Sequence, residues 1–145
     1  MLNLSNRSSH LRHLRLVECG NIVGGLTATS KNFPLLEELH THLTLITKEN
    51  IESVGRDCSL LKSVTLNAGL CTLLGDSLSP DDGQRLSIAT SMPELLNLSL
   101  ILNPLTNVGL QAILEGCPYL VSLDLRLCNI DLEGDLGRRC RLHIK

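Results

Sequence analysis

The string Leu-x-x-Leu-x-Leu stands at Leu11/Leu14/Leu16, at Leu95/Leu98/Leu100 and at Leu120/Leu123/Leu125. Degenerate copies stand at Leu36/Leu39/Thr41 and Leu61/Val64/Leu66. The copies begin at 11, 36, 61, 95 and 120, so successive starts lie 25, 25, 34 and 25 residues apart. Self-similarity at a fixed period of this size means one supersecondary unit stacked on itself. A single unit cannot bury its own leucines; neighbours bury them jointly. The long gap coincides with Ala68 to Gly83, which contains Gly69, Gly75, Ser77, Ser79, Pro80, Asp81 and Asp82. Turn-forming residues gathered in one place, with the period resuming afterwards, describe an insertion at about 68–83.

Other positions keep the register. Eight residues after each start stand Cys19, Thr44, Gly69, Asn103 and Cys128. Except at Gly69, these are small polar side chains that can turn inward after a strand ends and bond the backbone of neighbouring coils. Leu26, Ile51 and Leu110, then Val54, Ile88 and Ile113, follow at helix-face spacing. Cys58 and Cys117 close two of the helices, and Pro34, Pro93 and Pro118 are expected to open strands, where a missing amide donor is tolerated. Each repeat thus reads as a short parallel strand, a turn and a helix returning outside. The predicted fold is an α/β solenoid of about five repeats, with a curved parallel sheet on the concave face and helices on the convex face. Residues 1–10 read as the remnant of a preceding repeat, 11–140 as the repeat domain and 141–145 as a tail. The expected core is Leu14, Leu16, Leu39, Leu66, Leu98, Leu100, Leu123, Leu125, Cys19 and Cys128.

Composition agrees with a repetitive core. The aromatic residues are one Tyr (Tyr119) and one Phe (Phe33), with no Trp, whereas irregular cores use aromatics to fill gaps. Thirteen basic against fifteen acidic side chains give a formal charge of -2. That balance, without stacking aromatics, argues against nucleic acid as a partner. No apolar run reaches the roughly 18–20 residues of a membrane span, and Met1 to Arg7 show no basic-then-apolar leader pattern. The six cysteines contain no CxxC or CxxxC pair, so neither a zinc site nor a disulfide framework is expected. Buried free thiols fit a reducing compartment, the cytoplasm or nucleus. The sequons at Asn3, Asn6 and Asn97 read as chance.

Three segments carry a family resemblance: Leu11-Arg12-His13-Leu14-Arg15-Leu16-Val17-Glu18-Cys19, Pro34-Leu35-Leu36-Glu37-Glu38-Leu39, and Leu105-Thr106-Asn107-Val108-Gly109-Leu110-Gln111-Ala112-Ile113-Leu114-Glu115-Gly116-Cys117-Pro118. They resemble the cysteine-containing leucine-rich repeats of plant F-box/LRR proteins, from about Ser8 to Cys140. The resemblance implies a protein-interaction module that selects substrates for an SCF-type ubiquitin ligase. No F-box is recognised ahead of the repeats. The Skp adaptor and cullin complex are therefore expected partners only if an F-box is present elsewhere. The substrate is a protein of unknown identity. The alternative is a free-standing LRR scaffold or a truncated regulator outside the ligase.

Strand residues that do not point inward line the concave face. The expected contact residues are His13, Arg15, Glu38, His40, His42, Thr65, Asn97, Ser99, Asp124 and Arg126. Val17, Ser63, Asn67, Ile101 and Ser122 share the face. Arg15, His40, Thr65, Ser99 and Asp124 should form one column across the sheet, charged oppositely at its ends and polar in its middle. His13, His40 and His42 lie on adjacent strands at distances a metal could span, but without a supporting ligand motif they read as surface imidazoles. His40, Ser99 and Asp124 supply the residue types of a hydrolytic triad. Two strand spacings of ~4.8 Å each separate His40 from Ser99, and there is no Gly-x-Ser-x-Gly elbow, so no catalytic residue and no cofactor are assigned. Cys71, inside the insertion, has no repeat role. Asp76, Asp81 and Asp82 read as a solvated acidic loop.

Overall fold

In the computed structural model the described residues are 10–21, 23–67, 83–101, 106–126, 134, 137, 138 and 140. Strands β1 (His13–Asn21), β2 (Glu38–Leu45), β3 (Ser63–Asn67), β4 (Asn97–Ile101) and β5 (Ser122–Asp124) form one parallel sheet in chain order. Between them run helices α1 (Val23–Thr29, continued by a 3-10 turn, Ser30–Asn32), α2 (Lys48–Asp57), α3 (Gly83–Ser91) and α4 (Asn107–Gly116). Each helix packs against the next in sequence. This is the expected leucine-rich-repeat architecture, with a sheet layer and a helix layer.

The register shows why the leucine string forms the core. Leu14 lies beside Leu39, Leu39 beside Val64, Val64 beside Leu98 and Leu98 beside Leu123. One strand step on, Leu16, Thr41, Leu66 and Leu100 make a second row. Alternate residues point to one side of a strand, so both rows face the helices. Leu16, Leu39, Leu66, Leu98 and Leu100 are buried together with Leu26, Ile51, Val54, Ile88, Leu110 and Ile113 from the helices. Leu14, Leu123 and Leu125 are half-buried and pack on the margin of this core. Leu14 and Leu123 belong to the first and last strands of the described sheet, which among the described residues have a neighbouring strand on one side only, and Leu125 directly follows the last of them. Cys128 and the side chain of Cys19 lie outside the described residues.

The helix-to-strand turns repeat one hydrogen-bond pattern. Leu36 N donates to Phe33 O, Leu61 N to Cys58 O, Leu95 N to Met92 O and Leu120 N to Cys117 O, at 3.1–3.4 Å. Each is a four-residue turn, with Pro34, Ser59, Pro93 or Pro118 at its second position. Proline's fixed φ suits that position. The prolines therefore do not open strands, as expected from sequence; each lies four residues ahead of one. After the turns, one carbonyl in each coil accepts two amides of the next. Arg12 O takes Glu37 N and Glu38 N, Glu37 O takes Lys62 N and Ser63 N, Lys62 O takes Leu96 N and Asn97 N, and Leu96 O takes Val121 N and Ser122 N.

Strands β1 and β2 are longer than expected. They run through Cys19 and Thr44, which the spacing placed after the strand end. A bulge makes this possible: the pairing shifts between Val17 and Gly20, and Glu18 and Leu43, at equivalent repeat positions, both have φ 52°. This left-handed backbone is uncommon without glycine. It turns the next residue inward: Thr44 is buried, and its hydroxyl donates to His42 O at 3.0 Å, with Leu16 O at 3.5 Å.

Caps and buried polar groups hold the convex layer in step. Thr47 caps α2, accepting from Asn50 N while Asn50 Oδ1 accepts from Thr47 N, a reciprocal capping box. Asn50 Nδ2 also donates to Thr27 Oγ1 at 2.8 Å, joining α2 to α1. Thr106 caps α4 by accepting from Gly109 N. Cys58 and Cys117 follow the last turns of α2 and α4, and each thiol points at the preceding coil, Cys58 toward Ser30 O and Cys117 toward Met92 O. Burial pushes both thiols up to about 11. The expected insertion lies outside the described residues as far as Asp82; Gly83 already begins α3.

Candidate functional site

The solvent side of the sheet follows directly from the alternation that builds the core. Arg15 pairs with His40, His40 with Thr65, Thr65 with Ser99 and Ser99 with Asp124. The column read from the repeat is thus present as five residues on successive strands. A parallel row joins His13, Glu38, Ser63, Asn97 and Ser122, and another joins Val17, His42, Asn67 and Ile101. Every one of these residues is exposed or half-exposed. Arg126 is the exception in placement: it falls in the turn after β5, two residues beyond the end of the strand.

Charges on this face are unevenly matched. Glu38 Oε2 lies 3.3 Å from His40 Nε2 and 3.7 Å from His13 Nε2, so one carboxylate serves imidazoles on two strands. Arg126 folds back on Asp124, with Nε at 3.0 Å from Oδ1 and 2.8 Å from Oδ2, and its backbone amide also donates to Oδ1. The acidic end of the column is therefore largely neutralised by its own neighbour, which the sequence reading missed; the spacing Asp-x-Arg on one face was the available signal. At the opposite end Arg15 is exposed and forms no ion pair among the described residues. His42 accepts from Asn67 Nδ2 at 3.4 Å. Burial, then the positive charge of Arg15, then His40 lower its proton affinity below the ordinary imidazole value.

A second ionic pattern runs along the edge where the strands begin. Glu37 lies between Arg12 (3.5 Å) and Lys62 (3.8 Å) on the adjoining coils. All three stand one residue after a repeat start, so alternation of sign at that position was the sequence signal. Farther along the same edge, Val121 and Tyr119 are exposed.

The geometry does not assemble a reaction centre from the candidate residues. Thr65 separates His40 from Ser99 in the register, and Asp124 is held by Arg126. The His13 and His40 rings face Glu38, and among the described residues no group of three or more His, Cys, Asp or Glu side chains is placed to hold a metal. No helix among the described residues is long and apolar enough to cross a membrane.

A coiled parallel sheet with one face packed and the other open defines a leucine-rich-repeat protein, and a family profile described as "Leucine Rich repeat" matches residues 116–134. The chain is 43% identical over its whole length to "Putative F-box/LRR-repeat protein 23" of Arabidopsis thaliana, covering 32% of that protein. It is 46% identical over 98% of its length to "Putative F-box/LRR-repeat protein 22", and 38% identical over 98% to "F-box protein SKIP19", both from the same plant, covering 45% of each. Over nearly its whole length the chain is thus similar to plant proteins named as F-box/LRR-repeat proteins. It spans between about a third and a half of the length of these relatives.

Proposed function

We propose that this chain is the substrate-recognition arm of an SCF-type F-box protein, acting in ubiquitin-dependent protein degradation without catalysing a reaction itself. The observation that carries this reading is the open sheet face: three rows of accessible, mostly polar side chains in continuous register, on a scaffold rigidified by a packed opposite face. A broad, shallow, polar surface suits a protein partner better than a small molecule, which needs concavity to bury most of its area. The contact residues under this proposal are His13, Arg15, Glu38, His40, His42, Thr65, Asn97, Ser99, Asp124 and Arg126. The relatives' names contain the word F-box, which supports the ligase reading; under it the Skp adaptor and cullin would join through an F-box. The site of action is the cytoplasm or nucleus, in keeping with the free thiols of Cys58 and Cys117.

The test is protein turnover in plant cells expressing this chain fused to an F-box, beside the same fusion carrying Thr65→Arg and Ser99→Arg. Adaptor co-purification confirms assembly of both fusions. Faster turnover of particular proteins with the parent fusion alone supports the reading. No change in turnover, or the same change with both fusions, defeats it and leaves a scaffold outside the ligase.

A further inference from the structure

We propose that the β1–β2 end of the concave face receives an acidic, extended segment of the partner protein on Arg15 and His42, and that His42 takes up a proton from solvent as the segment docks. This deepens the reading above and rests on it. Arg15 carries the argument. Elsewhere on the face, carboxylates answer the nearby cations: Glu38 faces His13 and His40, and Asp124 holds Arg126. Arg15 is exposed, and among the described residues it has no carboxylate within ion-pair distance. An unmatched guanidinium on an otherwise compensated surface sets the sign of what should land there.

His42 extends that site. It lies diagonally from Arg15 across the β1–β2 pair, since Arg15 is in register with His40 and Val17 with His42. Diagonal neighbours lie about 7 Å apart, and carboxylates two residues apart on an extended chain are separated by nearly the same distance, about 6.7 Å. Acidic residues at alternate positions of the partner therefore match the spacing of the two groups.

The groups around His42 decide how its charge responds. Strand β1 presents Arg15, with His13 farther along; β2 contributes His40 and, beyond it, Glu38; β3 presents Asn67 and Thr65, both uncharged. With the face empty, burial first, then Arg15 and then His40 hold the proton affinity of His42 below the ordinary imidazole value. A carboxylate on Arg15 offsets that repulsion and adds attraction, so bound His42 holds a proton more firmly. Asn67 accommodates either state. Its Nδ2 donates to the neutral ring's Nδ1, and its buried Oδ1 has no hydrogen-bond partner among the described residues; half a turn of the amide offers Oδ1 to a protonated Nδ1. Proton uptake and docking then favour each other reciprocally, and affinity rises as pH falls.

The experiment titrates the isotope-labelled 145-residue chain with hexaglutamate at pH 7.5 and 6.0, following backbone and imidazole resonances, with hexaglutamine and inorganic phosphate as separate probes. The expected result is shifts centred on Arg15, His40 and His42 with hexaglutamate alone, and binding about threefold or more tighter at pH 6.0. Arg15→Gln should abolish the response. His42→Gln should lose much of the gain between pH 7.5 and 6.0, whatever its affinity at pH 7.5, which general charging of the other histidines would not explain. Equal affinity at the two pH values, an undiminished gain in His42→Gln, or shifts centred on Arg12 and Lys62 would overturn the inference. So would phosphate reproducing the whole effect, which would make this a small-anion site. These outcomes leave the broader reading standing, because that reading fails separately, when Thr65→Arg and Ser99→Arg leave turnover unchanged.

Discussion

Replacing Gly55 with alanine should destabilise the protein, although the same change inside most helices stabilises it. Gly55 sits in α2, two residues before its end, where alanine is intrinsically better than glycine by about 1 kcal/mol. The neighbouring coil reverses the sign. A Cβ on Gly55 would stand 2.6 Å from Ser91 O and 2.7 Å from Ser91 Cβ, at the end of α3. Carbon atoms in contact prefer about 3.5–4.0 Å, so α2 and α3 must move apart by about 1 Å, opening the packing beneath them. Overpacking of this kind costs about 1–3 kcal/mol. Net of the propensity gain, a loss of up to about 2 kcal/mol is expected. Urea unfolding followed by far-ultraviolet circular dichroism reads it; with no Trp and Tyr119 60% exposed, fluorescence would report poorly. The double variant Gly55→Ala/Ser91→Gly removes the Cβ–Cβ conflict and leaves the carbonyl contact, so it should recover only part of the loss. A stabilised Gly55→Ala protein would refute the view that the helices approach as closely as Gly55 allows.

Three further outcomes follow from buried groups. Leu98→Ala empties a site that is 1% exposed between β3 and β5 and should cost about 2–5 kcal/mol by the same unfolding assay; a loss under about 1 kcal/mol would mean the coils collapse freely around the gap. The thiols of Cys58 and Cys117, pushed up to about 11, should resist iodoacetamide at pH 8 in the folded protein and react once urea unfolds it, as read by mass spectrometry of their peptides. The Ser30 hydroxyl, 2.7 Å from Asp57 Oδ2, is the largest influence holding that carboxyl below its ordinary value. A lowered carboxyl value means stability present above pH 3.8 and lost as pH falls through the folded value, because the unfolded chain binds the proton first. Ser30→Ala should therefore shrink the loss of stability between pH 4 and 2 and cost about 2 kcal/mol at pH 7; an unchanged acid limb would remove Ser30 as the cause.

The spacing of leucines determined the fold because the coil is a local object. Its strand, turn and helix lie within one period, and stacking repeats the same neighbours, so a pattern in one dimension already states which side chains meet in three. Leu39, Val64 and Leu98 could be placed side by side from their positions alone, and so could the column from Arg15 to Asp124. The family resemblance was legible for the same reason, being carried by residues that the coil itself constrains. Exposed positions carried less. No periodic rule says that Arg126 turns back on Asp124, that Glu38 is shared by His13 and His40, or that Arg15 is left unmatched. These are choices among rotamers and near neighbours, settled by a few tenths of an ångström and by the order in which charges meet across strands. The bulge at Glu18 and Leu43 was hidden too, since a left-handed residue that is neither glycine nor asparagine leaves no mark in the sequence. The sequence by itself determined the stacked leucine core and which side chains share the open face. Tertiary structure alone decided which of those charges are already satisfied, because electrostatic pairing depends on side-chain directions that the repeat does not constrain.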